Sequence, residues 1–549
     1  MTKTARARYT LEFKQEAVRL VEGGQSIAAA ARTLLEMVWQ VLTRILLPGL
    51  FMTERAEIVA LATRHKLPAF YGAREFVDDG GLVRYGETLR SVCRSAEHII
   101  RCVPQCAATP WHTRPISALR HTDPRPLRCN SMIDLTHQDL ARLNGQKGDA
   151  AALAMRILVR SAELMGARRL LDIESAHIDG CLYHGQASLD FVERLVASGG
   201  KVVVPTTLNV GSLDLIHPEL FQGDAGTKSQ AQRLMQAHIE LGCASTFTCA
   251  PYQGPSRPRL GQQIAWAESN AIVFANSVLG ARTNRYGDFM DLCAALTGRA
   301  PYCGLHVDEN RRGQIVFALQ DFPQERAGRD IWFAALGLFT GGATGSAIPV
   351  FTGLPLDTSE DELKALGAAC ASTGAVGMFH AVGITPEAGT LKQALGGLSA
   401  AATITVTHAM LNQTRAGLSR AKPGDRLAAV SVGTPHFSLA EFDQLLQLLG
   451  SAAAKPSIDF YANTSRYILW ELEQSSRASK LRDLGITLVT DTCTYITPVM
   501  RQTQGLIMTN SGKWAHYAPA NIGVEVAFGS LRECVLSAVE GRLVLDDHG

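Results

Sequence analysis

The sequence predicts an α/β protein with parallel sheets flanked by helices, preceded by a partly helical N-terminal extension of different character. Two observations carry this. From Asp134 onward, long apolar helical patterns alternate with short β-branched runs, the pattern of strands buried between helices. In the first 131 residues nothing comparable occurs, and the stretch between Cys102 and Cys129, CVPQCAATPWHTRPISALRHTDPRPLRC, is dense in Pro, Arg and His, as a connecting segment is. The expected divisions are therefore 1–53, 54–131 and 132–549.

Taken in order, AALAMRILVRSAELMGA from Ala151 spaces its apolar residues for one helical face. KVVVP from Lys201, LAAVSVG from Leu427, IDFYAN from Ile458, ITLVTD from Ile486 and GLIMT from Gly505 read as strands. The Gly-rich run GLFTGGATGSAIPVFTG, Gly337 to Gly353, lacks the Lys-Ser/Thr ending of a phosphate loop and the spacing of a dinucleotide fingerprint, which leaves close helix packing or a loop.

With 549 residues, the chain has room for about two to four domains. Hydrophobic residues make up 46% and charged residues 19%, a globular composition. The net charge of +2 lacks the basic excess of a dedicated nucleic-acid binder. The most apolar stretch, Met37 to Met52, is broken by Arg44 and Pro48 and is shorter than the roughly 20 residues a bilayer requires. The N-terminus has no continuous apolar core of the signal-peptide kind, so a cytoplasmic protein is expected. Twelve cysteines at irregular spacings, without a CxxC pair, predict reduced thiols rather than a disulfide framework.

In parallel sheets, ligands gather where strands end and loops carry polar groups. KVVVP runs into Thr206, Thr207 and Asn209; LAAVSVG into Thr434 and His436; IDFYAN into Thr464 and Ser465; ITLVTD into Thr492 and Cys493; GLIMT into Asn510, Ser511 and Lys513. One such loop is more simply a helix cap, but five in succession predict one site. His177 with Asp179, and His306 with Glu309, are spaced to orient a substrate or move protons, the alternative being a buried histidine satisfied by a carbonyl. The segment from Ala265 to Arg285 carries Glu268, Ser269, Asn270, Asn276, Arg282, Asn284 and Arg285, a polar density that is costly in an apolar segment unless paired or functional.

Three resemblances follow. Residues 7–34, ARYTLEFKQEAVRLVEGGQSIAAAARTL, resemble the first helices of the helix-turn-helix of insertion-sequence transposases, with the base-reading helix replaced after Leu35. Residues 54–101 resemble a C-terminal piece of the substrate-binding proteins of ABC transporters. Residues 132–549 resemble the large, catalytic subunit of the aconitase X family of hydro-lyases, through LNGQKGDAAALAMRILV from Leu143, SAHIDG from Ser175, VPTTLNVGSLDL from Val204, TCAPYQ from Thr248, ESNAIVFANSVLGARTNRYGD from Glu268, GTPHFSL from Gly433, DTCTYITP from Asp491 and TNSGKWAHYAP from Thr509.

The third resemblance implies aconitase-like catalytic domains that dehydrate a small hydroxy acid, with cis-3-hydroxy-L-proline or mevalonate 5-phosphate as substrate. It also implies an iron–sulfur centre, because hydroxide leaves poorly unless a Lewis acid takes its oxygen. Cys249 and Cys493 take the ligand positions. The third family cysteine, in the GxPH loop, is Thr434 here, with His436 two residues on. A small swivelling domain that supplies a serine base has no counterpart in this chain, which implies a separate small subunit. Catalytic roles then fall on His177, Asp179, Ser511 and Lys513, and substrate contacts on Thr206, Thr207, Asn209, Glu268, Ser269, Asn270, Arg282, His306, Thr434 and His436. Beyond Lys513, Arg282 and Arg285 no cationic cluster suits a phosphate, which favours hydroxyproline. The reading from another class is a transposase-derived DNA-binding protein, which requires salt-dependent DNA affinity.

Overall fold

Three parallel sheets and one antiparallel strand pair, flanked by helices, make up the described part of the chain; the computed structural model describes residues 133–545 apart from 327, 420 and 453. The transposase-like segment and the binding-protein-like segment with its linker, residues 1–131, lie outside the described residues.

The first sheet is small. Its strands β1 (Leu170–Asp172), β2 (Ala176–Ile178), β3 (Thr206–Leu208), β4 (Ala265–Trp266) and β5 (Arg299–Pro301) form a parallel trio in the order β3-β2-β4 and an antiparallel pair β1-β5. Helices Asp149–Leu164, Gln186–Ala197 and Ala225–Glu240 bury Leu158, Leu189, Leu234 and Phe247 with it. The expected strand at 201–205 is absent. Val203 is 58% exposed, and the backbone N–H groups of Val202 and Val203 donate to Leu241 and Ala295 instead. The β-branched run braces two helices and the sheet begins at Thr206. Arg299, which grips Asp139 at 2.9 and 3.0 Å, ties the first helix (His137–Leu143) to β5.

The second sheet contains β6 (Ile315–Leu319), β7 (Pro349–Thr352), β8 (His380–Ala381) and β9 (Ala402–Val406) in the order β8-β7-β6-β9, all parallel. Beside it, helices Asp330–Thr344 and Glu360–Thr373 cross so closely that a Cβ on Gly337 or Gly341 would strike the other helix's backbone. The glycine run serves helix packing.

The third sheet positions most of the chemistry. Strands β10 (Leu427–Phe437), β11 (Asp459–Thr464), β12 (Ile486–Val489), β13 (Leu506–Thr509) and β14 (Glu525–Phe528) lie parallel in the order β12-β11-β10-β13-β14. β10 is the middle strand, partly exposed at Ala428 and buried from Ala429 to Phe437, which explains its mostly apolar first half. Ser438, Ser465, Ser511 and Ser530 cap the helices that follow β10, β11, β13 and β14, so part of the polarity at strand ends is capping.

The first and third sheets are joined by a clamp. Asp214 accepts from the N–H (2.8 Å) and hydroxyl (2.9 Å) of Thr490; Asp491 accepts from Leu215 N–H (3.1 Å) and pairs with Arg466 at 2.6 and 2.7 Å. The loop after β3 is thereby fixed against the loop after β12. Among the described residues no helix is long and apolar enough to cross a membrane.

Candidate active site

Cys249, His436 and Cys493 come together although 187 and 57 positions separate them in turn. Their ligand atoms all lie within 4.8 Å of one another, and all three residues are buried. Cys249 stands on the loop whose Thr248 N–H bonds to Leu208 at the end of β3. His436 belongs to the last residues of β10, inside the stretch between Val432 and Phe437 where the register against β11 shifts. Cys493 follows Asp491, whose φ of 60° turns the chain inward after β12.

The imidazole is held from every side. Its Nδ1 lies 3.0 Å from Thr248 Oγ1 and its Nε2 3.2 Å from the Thr492 carbonyl and 3.7 Å from Cys493 Sγ. The main-chain N–H of His436 donates to Cys249 Sγ at 3.3 Å, and its main-chain carbonyl accepts from Gln253 (3.0 Å) and Lys364 (3.3 Å). Burial lowers its pKa to about 4, leaving the neutral ring that can ligate a metal. The two thiols are driven in opposite directions. Burial would raise Cys249, but the hydrogen bond from Cys493 holds it below the ordinary thiol value, and that same bond, with burial, pushes Cys493 well up.

Beside this group runs a chain of buried polar contacts. Lys513 Nζ donates to Glu268 Oε1 at 2.5 Å and to Asn270 Oδ1 at 2.7 Å. Asn209 Nδ2 donates to Glu268 Oε2 at 2.9 Å and also to Asp179. Asn270 Nδ2 donates to the Cys249 carbonyl at 2.7 Å, which links the chain to the thiols. Glu268 holds a φ of 62° at the start of helix Ser269–Ser277, a backbone state that costs free energy and recurs at functional sites. Burial would raise the Glu268 carboxyl, but the Lys513 ammonium holds it below its ordinary value, and Glu268 in turn raises Lys513 well above its own against burial. Asp179 is pushed well up by burial and then by the charges of Glu268 and Asp288.

Three buried polar atoms near this chain have no hydrogen-bond partner among the described residues: His177 Nε2, Asn209 Oδ1 and Thr434 Oγ1. His177, whose Nδ1 meets Thr207 Oγ1 at 2.8 Å, is brought down to about 3 by burial, against the pull of Glu268, and so stays neutral. Unpaired buried polar atoms are rare unless a ligand satisfies them.

Of the residues singled out in the sequence, the structure brings together Asp179, Asn209, Glu268, Asn270, Lys513, Cys249, His436 and Cys493. Ser269 touches Glu268 at 3.4 Å. Ser511 is occupied as a cap, accepting from Trp514 N–H at 3.0 Å and donating to the Thr434 carbonyl. Thr206 turns back to the Val204 carbonyl. Arg282 and His306 do not join the group. Arg282 pairs with Asp308 at 2.8 Å, and His306 bonds Tyr286 Oη and Gln263 Oε1, both at 2.6 Å. His306, lowered to about 3 by burial, is a structural histidine.

A stability test follows from His306. Because its folded pKa lies below the unfolded value, acid favours the unfolded chain, and stability is lost as pH falls below about 6.5. Between pH 7 and 5 the wild type should lose about 2 kcal/mol more than His306→Gln, by denaturant unfolding. Equal losses would show that His306 titrates freely.

Thr248, Gln253 and Lys364 escaped the sequence reading. Lys364 sits in EDELKAL, which looks like an exposed helix face, yet it is buried against Asp361 (2.9 Å) and Glu441. Two thiols and a neutral imidazole, all buried, fit iron chemistry, since thiolates favour iron–sulfur centres and imidazole also binds iron.

Comparison with known proteins identifies the family. Sequence models of the aconitase X first, second and third domains match residues 132–309, 313–416 and 427–540. Cis-3-hydroxy-L-proline dehydratase of Hypocrea jecorina is 42% identical over 76% of this chain and 71% of its own length, and that of Pseudomonas aeruginosa 42% over 79% and 74%. The phosphomevalonate dehydratase large subunit of Methanothermobacter thermautotrophicus is 35% identical over 70% of this chain and 94% of its own. The crystal structure of aconitase X from Thermococcus kodakaraensis in its holo-form superposes with a TM-score of 0.67 at 31% identity, covering 74% of this chain and all of that one. These family matches begin at residue 132 and lend no support to the transposase-like and binding-protein-like resemblances of the earlier residues. The chain belongs to the aconitase X family of hydro-lyases.

Proposed function

We propose that this hydro-lyase dehydrates cis-3-hydroxy-L-proline, with an iron–sulfur centre at Cys249 and Cys493 and a separate small subunit. The observation that carries the reading is the buried chain Asp179–Asn209–Glu268–Lys513–Asn270 ending at the Cys249 carbonyl. When bound there, the centre supplies a Lewis acid for the departing hydroxyl. Lys513 spends two of its three N–H donors on Glu268 and Asn270, leaving one for a substrate carboxylate oxygen. Glu268, held ionised beside Lys513, suits a ring ammonium, and burial raises the neighbouring Asp179 and Asp291, which keeps them protonated and able to donate to a substrate oxygen. His177 Nε2, neutral and unpaired, can accept a hydrogen bond from the substrate hydroxyl or ammonium.

Loss of water across the ring carbons next to the carboxylate gives an enamine that becomes a cyclic imine. The test is formation of that imine from cis-3-hydroxy-L-proline by protein prepared without oxygen together with its candidate small subunit. Turnover of mevalonate 5-phosphate alone would transfer the reading to the relatives named phosphomevalonate dehydratase large subunit. The named large subunits among the relatives support the need for a second chain. Free thiols at the described cysteines support a cytoplasmic setting.

We also place the functional unit at residues 132–549. A protein beginning at Met132 should keep its unfolding temperature within a few degrees and its turnover within about twofold, since the family matches begin there and residues 132–549 form a compact unit of their own. Insolubility of that protein beside an active full chain would give residues 1–131 a folding role.

A further inference from the structure

We propose that His436, through Nε2, is the third protein ligand of the metal centre, so that this chain holds it with two thiolates and one imidazole. The inference rests on the reading of Cys249 and Cys493 as holding an iron–sulfur centre.

Three donors are brought within 4.8 Å of one another among the described residues, and the third of them is an imidazole. Two donors on one tetrahedral metal, with bonds of roughly 2.3 Å to sulfur and 2.0 Å to nitrogen, stand about 3.5 Å apart. Cys493 Sγ and His436 Nε2 stand 3.7 Å apart. They are thus spaced to share one iron. Thr434, two residues earlier, offers only a buried hydroxyl that bonds to nothing described.

Selection of Nε2 over Nδ1 follows from the ring's surroundings. Nδ1 faces Thr248 Oγ1 at 3.0 Å, the position from which a second-shell oxygen accepts the other ring N–H of a ligating histidine. Nε2 faces the Thr492 carbonyl at 3.2 Å and the Cys493 thiol at 3.7 Å. On ligation the ring proton resides on Nδ1 and donates to Thr248, and Nε2 exchanges the Thr492 carbonyl for iron, with no change in the number of protons on the ring. The main chain of His436 is fixed on both sides, its N–H by Cys249 Sγ and its carbonyl by Gln253 and Lys364. A ring so anchored is set in place before any metal arrives. Lys364, neutralised by Asp361 and Glu441, is on this account a positioning residue.

The experiment compares the full chain, unlabelled and carrying 15N-histidine. Both samples are reconstituted with iron and sulfide without oxygen, reduced by one electron with dithionite and studied by pulsed electron paramagnetic resonance. The expected result is coupling from a directly bonded nitrogen that changes from a 14N to a 15N pattern on labelling. His436→Ala should lose iron to a chelator at least about tenfold faster, a ligand counting for no less than an outer-shell partner. The double variant Thr434→Cys with His436→Ala should regain iron retention without any nitrogen coupling. A wild-type centre with no bonded nitrogen, coupling that survives in His436→Ala, or protein that binds no iron with labile sulfide would each overturn the assignment. Turnover of cis-3-hydroxy-L-proline by a centre lacking nitrogen would spare the function and reject this ligand. A nitrogen-ligated centre without turnover would do the reverse.

Discussion

Lys513→Ala should lower kcat/KM for dehydration by roughly 10²–10³-fold or more and destabilise the fold by about 3–5 kcal/mol, the cost of leaving one member of a buried ion pair alone. The 2.5 Å contact with Glu268 is the reason: both side chains are at most 8% exposed, and Glu268 remains ionised because the ammonium is there. Without it the carboxyl must protonate or remain uncompensated. The double variant Lys513→Met with Glu268→Gln separates the two effects. Removing both charges should restore most of the stability while activity stays lost, because no group is left to grip the substrate carboxylate. Steady-state kinetics and denaturant unfolding on the three proteins decide the matter, and full activity in Lys513→Ala would remove this residue from the site.

Cys493→Ala should abolish iron binding and, with it, turnover. Cys249 and Cys493 sit 2% and 1% exposed in one cluster of donors, and a thiolate on iron is both ionised and shielded. Alkylation of protein prepared without oxygen should therefore spare both cysteines until the metal is stripped by a chelator, after which Cys249, the more acidic thiol, should react first. Peptide mapping of the alkylated residues provides the reading. Iron retained at wild-type level in Cys493→Ala would mean that the centre lies elsewhere.

The core strands were legible because burial on both faces favours largely apolar runs: β10 to β13 fall where LAAVSVG, IDFYAN, ITLVTD and GLIMT stand. KVVVP misled because β-branched residues also serve in an exposed brace, and only tertiary contacts distinguish the two. For the site, strand-end position identified Asn209, His436, Cys493 and Lys513. It could not tell these from Thr464 and Ser465, which bond the Phe437 carbonyl and cap a helix. His306 looked like a ligand contact because sequence does not reveal which buried polar groups already have partners, and Arg282 because it does not reveal the pairing with Asp308. Lys364 was hidden for the converse reason, since the carboxylate that buries it, Glu441, lies 77 positions away.

The clamp between Asp214 and Thr490 also sets a timetable. Cys249 leaves the ribosome before the whole second sheet has been made, and its two partners follow 187 residues or more later. At typical synthesis speeds of about 5–20 residues per second, that gap lasts roughly ten seconds or longer. Through it the loop bearing Cys249 has no third sheet to cover it, and its thiol meets oxidants and stray metal ions alone. Closure of the clamp ends that exposure, so a centre held by these residues would be loaded in the last step of the chain's maturation, after the carboxyl-terminal sheet has docked.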